Sequence, residues 1–377
     1  MPEPYSGILI PNSAIRKGAR LRIILPPPHN EFTRALDTKF LDIDADNDGF
    51  LSKNEVDVAL GDSQYTGNFG AMLATIKKHL GDFEEMSNDE LGDENDGITR
   101  ADIIAYDRLR LKNPNDEVIT KMQNMYDYSK NKINAINKNL PQGQLDPLSV
   151  EQGLIGDCWF LAAIVGLGLQ SEAKLRNMIK KVGNNYEVKF PGISKSIKVE
   201  SPTDGEIAIF SSAGANGIWL TVLEKAYGTS VNRDAYFFVD TSVTDAADHA
   251  AFISKGIEII TGSSYDTDIF GARAGRGIEI LSLRSKLKTA FENNKVVTAG
   301  IRGGIFSDYR ENGLPMGHAY TVTGFDGNKN TIRVRNPWGR PSDRQIDRNI
   351  ITPLARGEFE MSFVNFWKSF SFITFEE

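Results

Sequence analysis

The segment Gln152-Gly153-Leu154-Ile155-Gly156-Asp157-Cys158-Trp159-Phe160-Leu161-Ala162-Ala163 decides how this chain reads. Gly153 and Gly156 predict a tight turn, and Cys158 then opens an apolar helix running to about Leu169. A thiol at a helix amino terminus faces the positive end of the macrodipole, which predicts a lowered pKa and a reactive thiolate. Gln152 lies just before the turn, so its side-chain amide can donate to an oxyanion near the sulfur, together with the Cys158 backbone N–H. Cys158 is the only cysteine, which excludes an intramolecular disulfide and makes it the one candidate thiol nucleophile. A small buried core residue is the competing reading of a lone cysteine.

A thiolate of this kind needs a base, and there are four histidines: His29, His79, His249 and His318. His29 follows a proline run, His79 lies on the lysine-rich side of a helix, and His249 sits among small residues; each reads as solvated. His318 differs, because it follows Gly317 and leads into Ala319-Tyr320-Thr321-Val322-Thr323, a plain strand. Asn336 ends the next strand, in Arg335-Asn336-Pro337-Trp338-Gly339. Two adjacent strands would set Asn336 beside His318, where its amide oxygen can accept from one ring nitrogen and hold the other toward the sulfur. Trp338 would shield that bond from water.

Outside these segments the chain has an ordinary globular composition: 377 residues, 40% hydrophobic, 25% charged. Its net charge of −7 gives no reason to expect nucleic acid or an anionic membrane as partner. No apolar run approaches a membrane span, and Met1 to Arg22 lacks the signature of a secretory leader, so the expected compartment is cytoplasmic. Ile8–Ile10 and Leu21–Leu25 read as short strands within an amino-terminal segment, 1–30. Phe32, Ala35, Leu36, Phe40 and Leu41 then fall at helical spacing. Residues 31–112 form an expected calcium-binding unit and 113–140 a helical linker. Pro141, Gly143 and Pro147 mark the main boundary. A helix-rich lobe is expected over 141–262, with Trp219–Tyr227 as a second helix, and a strand-rich lobe over 263–377. Strands are predicted at Val296–Ile301, Ala319–Phe325, Thr331–Val334 and Phe370–Phe375, which makes the fold class α+β.

The calcium expectation comes from Asp44-Ala45-Asp46-Asn47-Asp48-Gly49-Phe50-Leu51-Ser52-Lys53-Asn54-Glu55, which fits a twelve-residue EF-hand loop. Asp44, Asp46 and Asp48 would each offer a carboxylate to Ca2+, Phe50 a backbone carbonyl, Ser52 a water-mediated contact and Glu55 both carboxylate oxygens. Gly49 permits the sharp turn. An acidic surface loop is the bland alternative. Such loops come in pairs, and Asp93–Asp102 is the candidate partner: it has Gly97 and apolar Ile98, but it is short and ends in Asp. Ile98 is expected to pair with Leu51 between the two loops.

Gln152–Ala163 resembles the nucleophile motif of the calpain family, Gly317–Gly324 its histidine motif and Arg335–Gly339 its asparagine motif. Trp219–Tyr227, Ile260-Thr261-Gly262 and Gly357–Phe363 are similar to further calpain segments, in matching order over about 141–377. The resemblance implies a papain-like two-lobed cysteine protease core, helical lobe plus antiparallel β lobe, here preceded by an α-helical EF-hand pair. It implies an endopeptidase acting on proteins or peptides, with a cleft that calcium helps assemble. The implied roles are nucleophile for Cys158, general acid/base for His318, orienting residue for Asn336 and oxyanion donor for Gln152. The family core also binds calcium through an acidic residue just upstream of the glutamine, where this chain has Ser149. A calcium-binding adaptor with an inactive protease fold and a transglutaminase-like acyltransferase are the alternative functions.

Overall fold

A computed structural model describes residues 26–87, 97–234, 242–248, 251–270, 276–304 and 307–377. The strands expected at 8–25, His249 and the acidic part of the second loop lie outside the described residues.

The amino-terminal helices are α1 (Glu31–Ile43), α2 (Lys53–Leu60), α3 (Asn68–Lys78), α4 (Leu80–Glu84), α5 (Arg100–Lys112) and α6 (Glu117–Ala135). Asn30 opens α1 with a capping box to Thr33, as Ser52 opens α2 with Glu55 and Thr99 opens α5 with Asp102. On α1 the buried apolar stripe is Phe32, Ala35, Leu36, Phe40 and Ile43. Leu41, expected in that stripe, is 65% exposed, because it lies one position round the helix from Phe40. Between α1 and α2 runs the acidic loop, and Leu51 and Ile98 form the expected bridge, each N–H donating to the other's carbonyl at 2.8 and 3.1 Å. The bridge needs Gly97 (φ +137°), where a Cβ would stand 2.5 Å from the Leu51 oxygen. Helix α6 ends at Ala135, short of the end of the expected helical linker at 140, and packs on α3.

The central helical region follows: α7 (Cys158–Gln170), α8 (Glu172–Arg176), strands β1 (Ile179–Val182), β2 (Asn185–Val188) and β3 (Ile197–Glu200), then α9 (Asp204–Ile209), α10 (Trp219–Asp234), α11 (Val243–Ala247) and α12 (Ile253–Thr261). Strands β1 to β3 make a small antiparallel sheet in sequence order. Helix α7 is apolar all round because it is buried all round, against α12 on one side and the large sheet on the other. One continuous buried cluster runs from Phe32 to Ile260 and takes in Val296 and Ala319, so the amino-terminal helices and the helical lobe share a core that reaches the carboxy-terminal region.

The carboxy-terminal region holds β4 (Tyr265–Ile269), α13 (Arg276–Glu292), β5 (Val297–Ile301), β6 (His318–Asp326), β7 (Thr331–Arg335), β8 (Thr352–Pro353), β9 (Glu358–Ser362), α14 (Phe363–Ser369) and β10 (Phe372–Glu376). Its antiparallel sheet has the order β4-β10-β5-β6-β7-β9-β8. A second core lies within this lobe, with Leu283, Leu287 and Ala290 of α13 and Phe363 and Phe366 of α14 packed with sheet residues. The architecture is α+β, with a helical lobe and an antiparallel β lobe. Four hydrogen bonds join the lobes beside the nucleophile turn. Thr321 Oγ1 of β6 donates to Ala162 O of α7 (2.8 Å), the Gln152 N–H donates to Pro337 O (2.9 Å), and the buried Arg335 guanidinium donates to Leu148 O and Val150 O.

Candidate active site

Strand β6 begins at His318 and pairs antiparallel with β7, whose last residue, Arg335, immediately precedes Asn336. That register brings His318 Nε2 to 2.8 Å from Asn336 Oδ1, so Nε2 donates and Nδ1 is left free to accept. Asn336 is fully buried and immobilised: its Oδ1 also accepts from the Trp338 N–H (2.9 Å), and its Nδ2 donates to Pro341 O (3.0 Å). The Trp338 ring stands 4.7 Å from the His318 ring, centroid to centroid, where the sequence expects its shield.

Cys158 begins α7 and packs at the lobe junction, where its sulfur receives the Ala319 N–H, one residue from His318. The Gln152–Pro337 backbone bond brings Gln152 to the same place. The four expected site residues therefore converge. Gln152 Nε2 already donates to Ile155 O (2.7 Å), while its Oε1 is buried without a partner. This amide has a second N–H and one orphan oxygen, so it is braced within the turn.

The electrostatics correct the expected lowered thiol pKa. Burial pushes Cys158 up to about 11, more than the Ala319 N–H and the helix amides pull it down, and the neighbouring Asp157 pushes the same way. Burial likewise lowers His318 to about 4, against the opposing Asn336 bond. Both shifts favour the uncharged form, thiol for Cys158 and imidazole for His318. Cys158 is half-buried, and at this helix start the desolvation of the sulfur outweighs the helix-terminus effect.

Behind the nucleophile lies a polar cluster that the sequence reading missed. Asp157, which N-caps α7 without a side-chain cap, is buried, and as a carboxylate neither of its oxygens would have a partner. Burial raises its pKa well above the carboxylate range, which makes it an acid that donates to Glu224 of α10. Glu224 in turn accepts from the Ser211 N–H (2.8 Å) and Ser211 Oγ (2.6 Å). Lys132 of α6 directs its ammonium to Ala208 O (3.2 Å) and Phe210 O. No sequence signal marks Lys132, since its acceptors are backbone carbonyls. Ser149 donates its hydroxyl to Asp146 O (2.6 Å) and offers no carboxylate for a calcium ion.

In the acidic loop, Asp44, Asp46 and Asp48 each bring a carboxylate oxygen within 4.8 Å of the others. Asp44 is buried, and its Oδ1 has no hydrogen-bond partner, while Oδ2 accepts the Gly49 N–H (3.2 Å). An orphan buried carboxylate oxygen aimed into an acidic loop fits a hard cation. Glu55 Oε1 accepts from the Ala45 N–H (2.7 Å) and Oε2 from the Ser52 N–H and hydroxyl (2.9 and 2.8 Å). Burial pushes the Glu55 pKa up, and these hydrogen bonds outweigh it and hold the carboxyl below its usual range. Phe50 and Ser52 follow Asp48 in the same loop, the Phe50 N–H donating to Asp48 Oδ1 (2.8 Å). In the second loop Asp102 is committed to capping, accepting from the Ser87 N–H (2.9 Å) and from Thr99.

Of the other described histidines, His29 is partly exposed, as expected, and its Nδ1 also meets Asp107 at 2.7 Å. His79 meets Asp82 at 3.0 Å, at the surface.

Comparison with known proteins gives a family model described as calpain family cysteine protease, matching residues 119–375. The calpain-1 catalytic subunit of Mus musculus is 29% identical over 262 residues, covering 58% of this chain and 33% of that protein. The calpain-1 catalytic subunit of Sus scrofa is 30% identical over 257 residues, with the same coverage. Calpain clp-1 of Caenorhabditis elegans is 26% identical over 257 residues, covering 59% of this chain and 31% of that protein. The chain spans about a third of the length of the curated relatives it matches.

Proposed function

Since the chain belongs to the calpain family of cysteine proteases, we propose that it is a calpain-type cysteine endopeptidase that hydrolyses protein or peptide substrates through Cys158, His318 and Asn336. The observation that carries the reading is the His318 Nε2–Asn336 Oδ1 bond of 2.8 Å, made next to the residue whose N–H reaches the Cys158 sulfur.

In this reading His318 Nδ1 takes the thiol proton as sulfur attacks the peptide carbonyl. The oxyanion is held by the Cys158 backbone N–H and the second N–H of Gln152. His318 then gives its proton to the leaving amine, and the thioacyl-enzyme is hydrolysed by water that the same imidazole deprotonates. Asn336 keeps the ring in the tautomer that makes this possible. Both reacting groups are held neutral by burial, so the charge separation of the first step requires water or substrate dipoles to enter between the lobes.

Calcium is the proposed modulator. Asp44, Asp46, Asp48, the Phe50 carbonyl, Ser52 and Glu55 would hold it, and its charge would let these carboxylates converge. A chain of contacts leads from that loop toward the nucleophile. Lys53, which starts α2, pairs with Asp245 of α11, and Lys77 of α3 pairs with the same carboxylate at 2.7 Å. Three residues on, Asp248 Oδ1 accepts the Gly156 N–H at 2.6 Å, within the nucleophile turn. A calcium-induced shift of α2 would act on the turn only if the ion binds its two arrangements unequally.

Hydrolysis of casein by the full chain, with calcium and with chelator and with Cys158→Ala as control, tests both parts. Cleavage by the parent and none by the variant is expected, with a higher rate in calcium. Undiminished cleavage by Cys158→Ala overturns the enzyme reading. Incorporation of an amine without hydrolysis would identify an acyltransferase, and failure of Cys158 to react with any thiol probe would favour the inactive adaptor.

A further inference from the structure

We propose that Lys132 is a positioning residue for the Cys158 site: its ammonium clamps the 208–211 segment on which the Gln152–Cys158 turn is built. This inference rests on the protease reading above but adds a residue outside the Cys-His-Asn set.

The turn leans on this segment along its whole approach. Glu151 and Ser212 exchange two backbone bonds, at 2.8 and 2.9 Å. The Leu154 N–H donates to Ile209 O (2.8 Å), and the Gly153 N–H donates to Ser211 Oγ (3.1 Å). The fit leaves no room for a side chain at Gly153, where a Cβ would lie 2.3 Å from Ile209 O and 2.4 Å from Phe210 O. Two charged side chains hold the segment. Glu224 grips Ser211 by its N–H and hydroxyl, and Lys132 grips the carbonyls of Ala208 and Phe210. Lys132 is also the cation that faces this cluster, with the Glu224 carboxylate, to which the protonated Asp157 donates, and Glu151 within its field. Burial lowers Lys132 to about 8, and Glu224 is the largest of the charges that oppose the fall.

Removing the ammonium would leave two carbonyls without their donor and a buried Glu224–Asp157 pair without a counterion, one residue from the nucleophile. The segment would relax, and with it the turn that carries Gln152 and the Cys158 N–H. The uncompensated negative charge would further disfavour the thiolate. Lys132 touches no substrate, so its loss is expected in kcat rather than KM.

The test uses the full chain as Lys132→Met and Lys132→Ala, with two readouts: peptide turnover, and the alkylation rate of Cys158, which as the only cysteine gives an unmixed signal. Lys132→Met is expected to lower kcat by about 10- to 100-fold with KM changed by less than about threefold, and to slow alkylation by about tenfold. In Lys132→Ala, added ethylamine should restore much of both rates, and ethanol at equal concentration should not, because the vacated site accepts a primary ammonium. A helix-packing role would not respond to the amine. Either variant matching the parent in both readouts overturns the proposal, as does a loss in folded Lys132→Ala that ethylamine leaves unchanged. If Lys132→Ala does not fold, Lys132→Met alone decides by its kcat-against-KM split and alkylation rate. A parent chain that hydrolyses no peptide would sink the protease reading instead, and alkylation then decides the role of Lys132 separately.

Discussion

The raised pKa of the half-buried thiol makes a prediction that separates this chain from an enzyme with a preformed thiolate–imidazolium pair. The perturbation is pH, and the assay is alkylation of Cys158 by chloroacetamide, followed by intact mass. With its pKa at about 11, Cys158 at pH 7 is thiolate in about one molecule in ten thousand, against a few per cent for an unperturbed cysteine. That is a deficit of roughly 300-fold. A more basic thiolate is intrinsically more nucleophilic, and a Brønsted slope of about 0.4–0.5 over this difference recovers about tenfold. The resting chain should therefore react about 30-fold more slowly than a peptide thiol at pH 7. The rate should rise almost tenfold per pH unit through pH 7 to 10 without a plateau. His318 supplies no imidazolium over this range, because burial holds it down at about 4. A plateau below pH 7, the mark of a stable ion pair, would refute the reasoning. Unfolding the chain in denaturant should bring the rate to that of a free thiol.

Three further outcomes follow from the same geometry. His318 has a folded-state pKa of about 4 against about 6.5 unfolded, so the unfolded chain binds more protons between these values and stability falls as pH drops through that window, by about 3 kcal/mol for this group. Melting temperatures of the parent and His318→Gln from pH 7 to 4 should show a shallower acid decline in the variant. Asn336→Ala removes three side-chain bonds in a fully buried position, so it should cost about 2–4 kcal/mol in denaturant titration and reduce turnover less than His318→Ala does. Gly97→Ala would force a Cβ to 2.5 Å from Leu51 O at φ +137°, costing about 2 kcal/mol and parting the Leu51–Ile98 bridge. Thermal melts and a competitive calcium titration should show lower stability and weaker binding.

Much of this molecule is legible in local pattern. The apolar run after Cys158, the β-branched and aromatic strands around His318 and Asn336, and the Leu51–Ile98 bridge all follow from periodicity and turn residues. Other parts carry a weaker local signal. Tyr186 and Val188 in β2, and Ile197 and Val199 in β3, alternate buried and exposed, the half-buried strand pattern, and Leu283, Leu287 and Ala290 mark one face of α13. The rest could not be read locally. Lys132 looks like any lysine on a polar helix, because its partners are main-chain carbonyls 76 and 78 residues away. The thiol pKa is not a local property either: the macrodipole is written into the helix start, whereas desolvation depends on the tertiary packing around the sulfur.

The most direct test of the proposed chemistry is intact-mass spectrometry of the chain quenched during turnover of an activated peptide ester in calcium. One acyl group attached to Cys158, decaying as product forms and absent from Cys158→Ala, is the expected result. Steady hydrolysis with no adduct on Cys158, undiminished in Cys158→Ala, would contradict it.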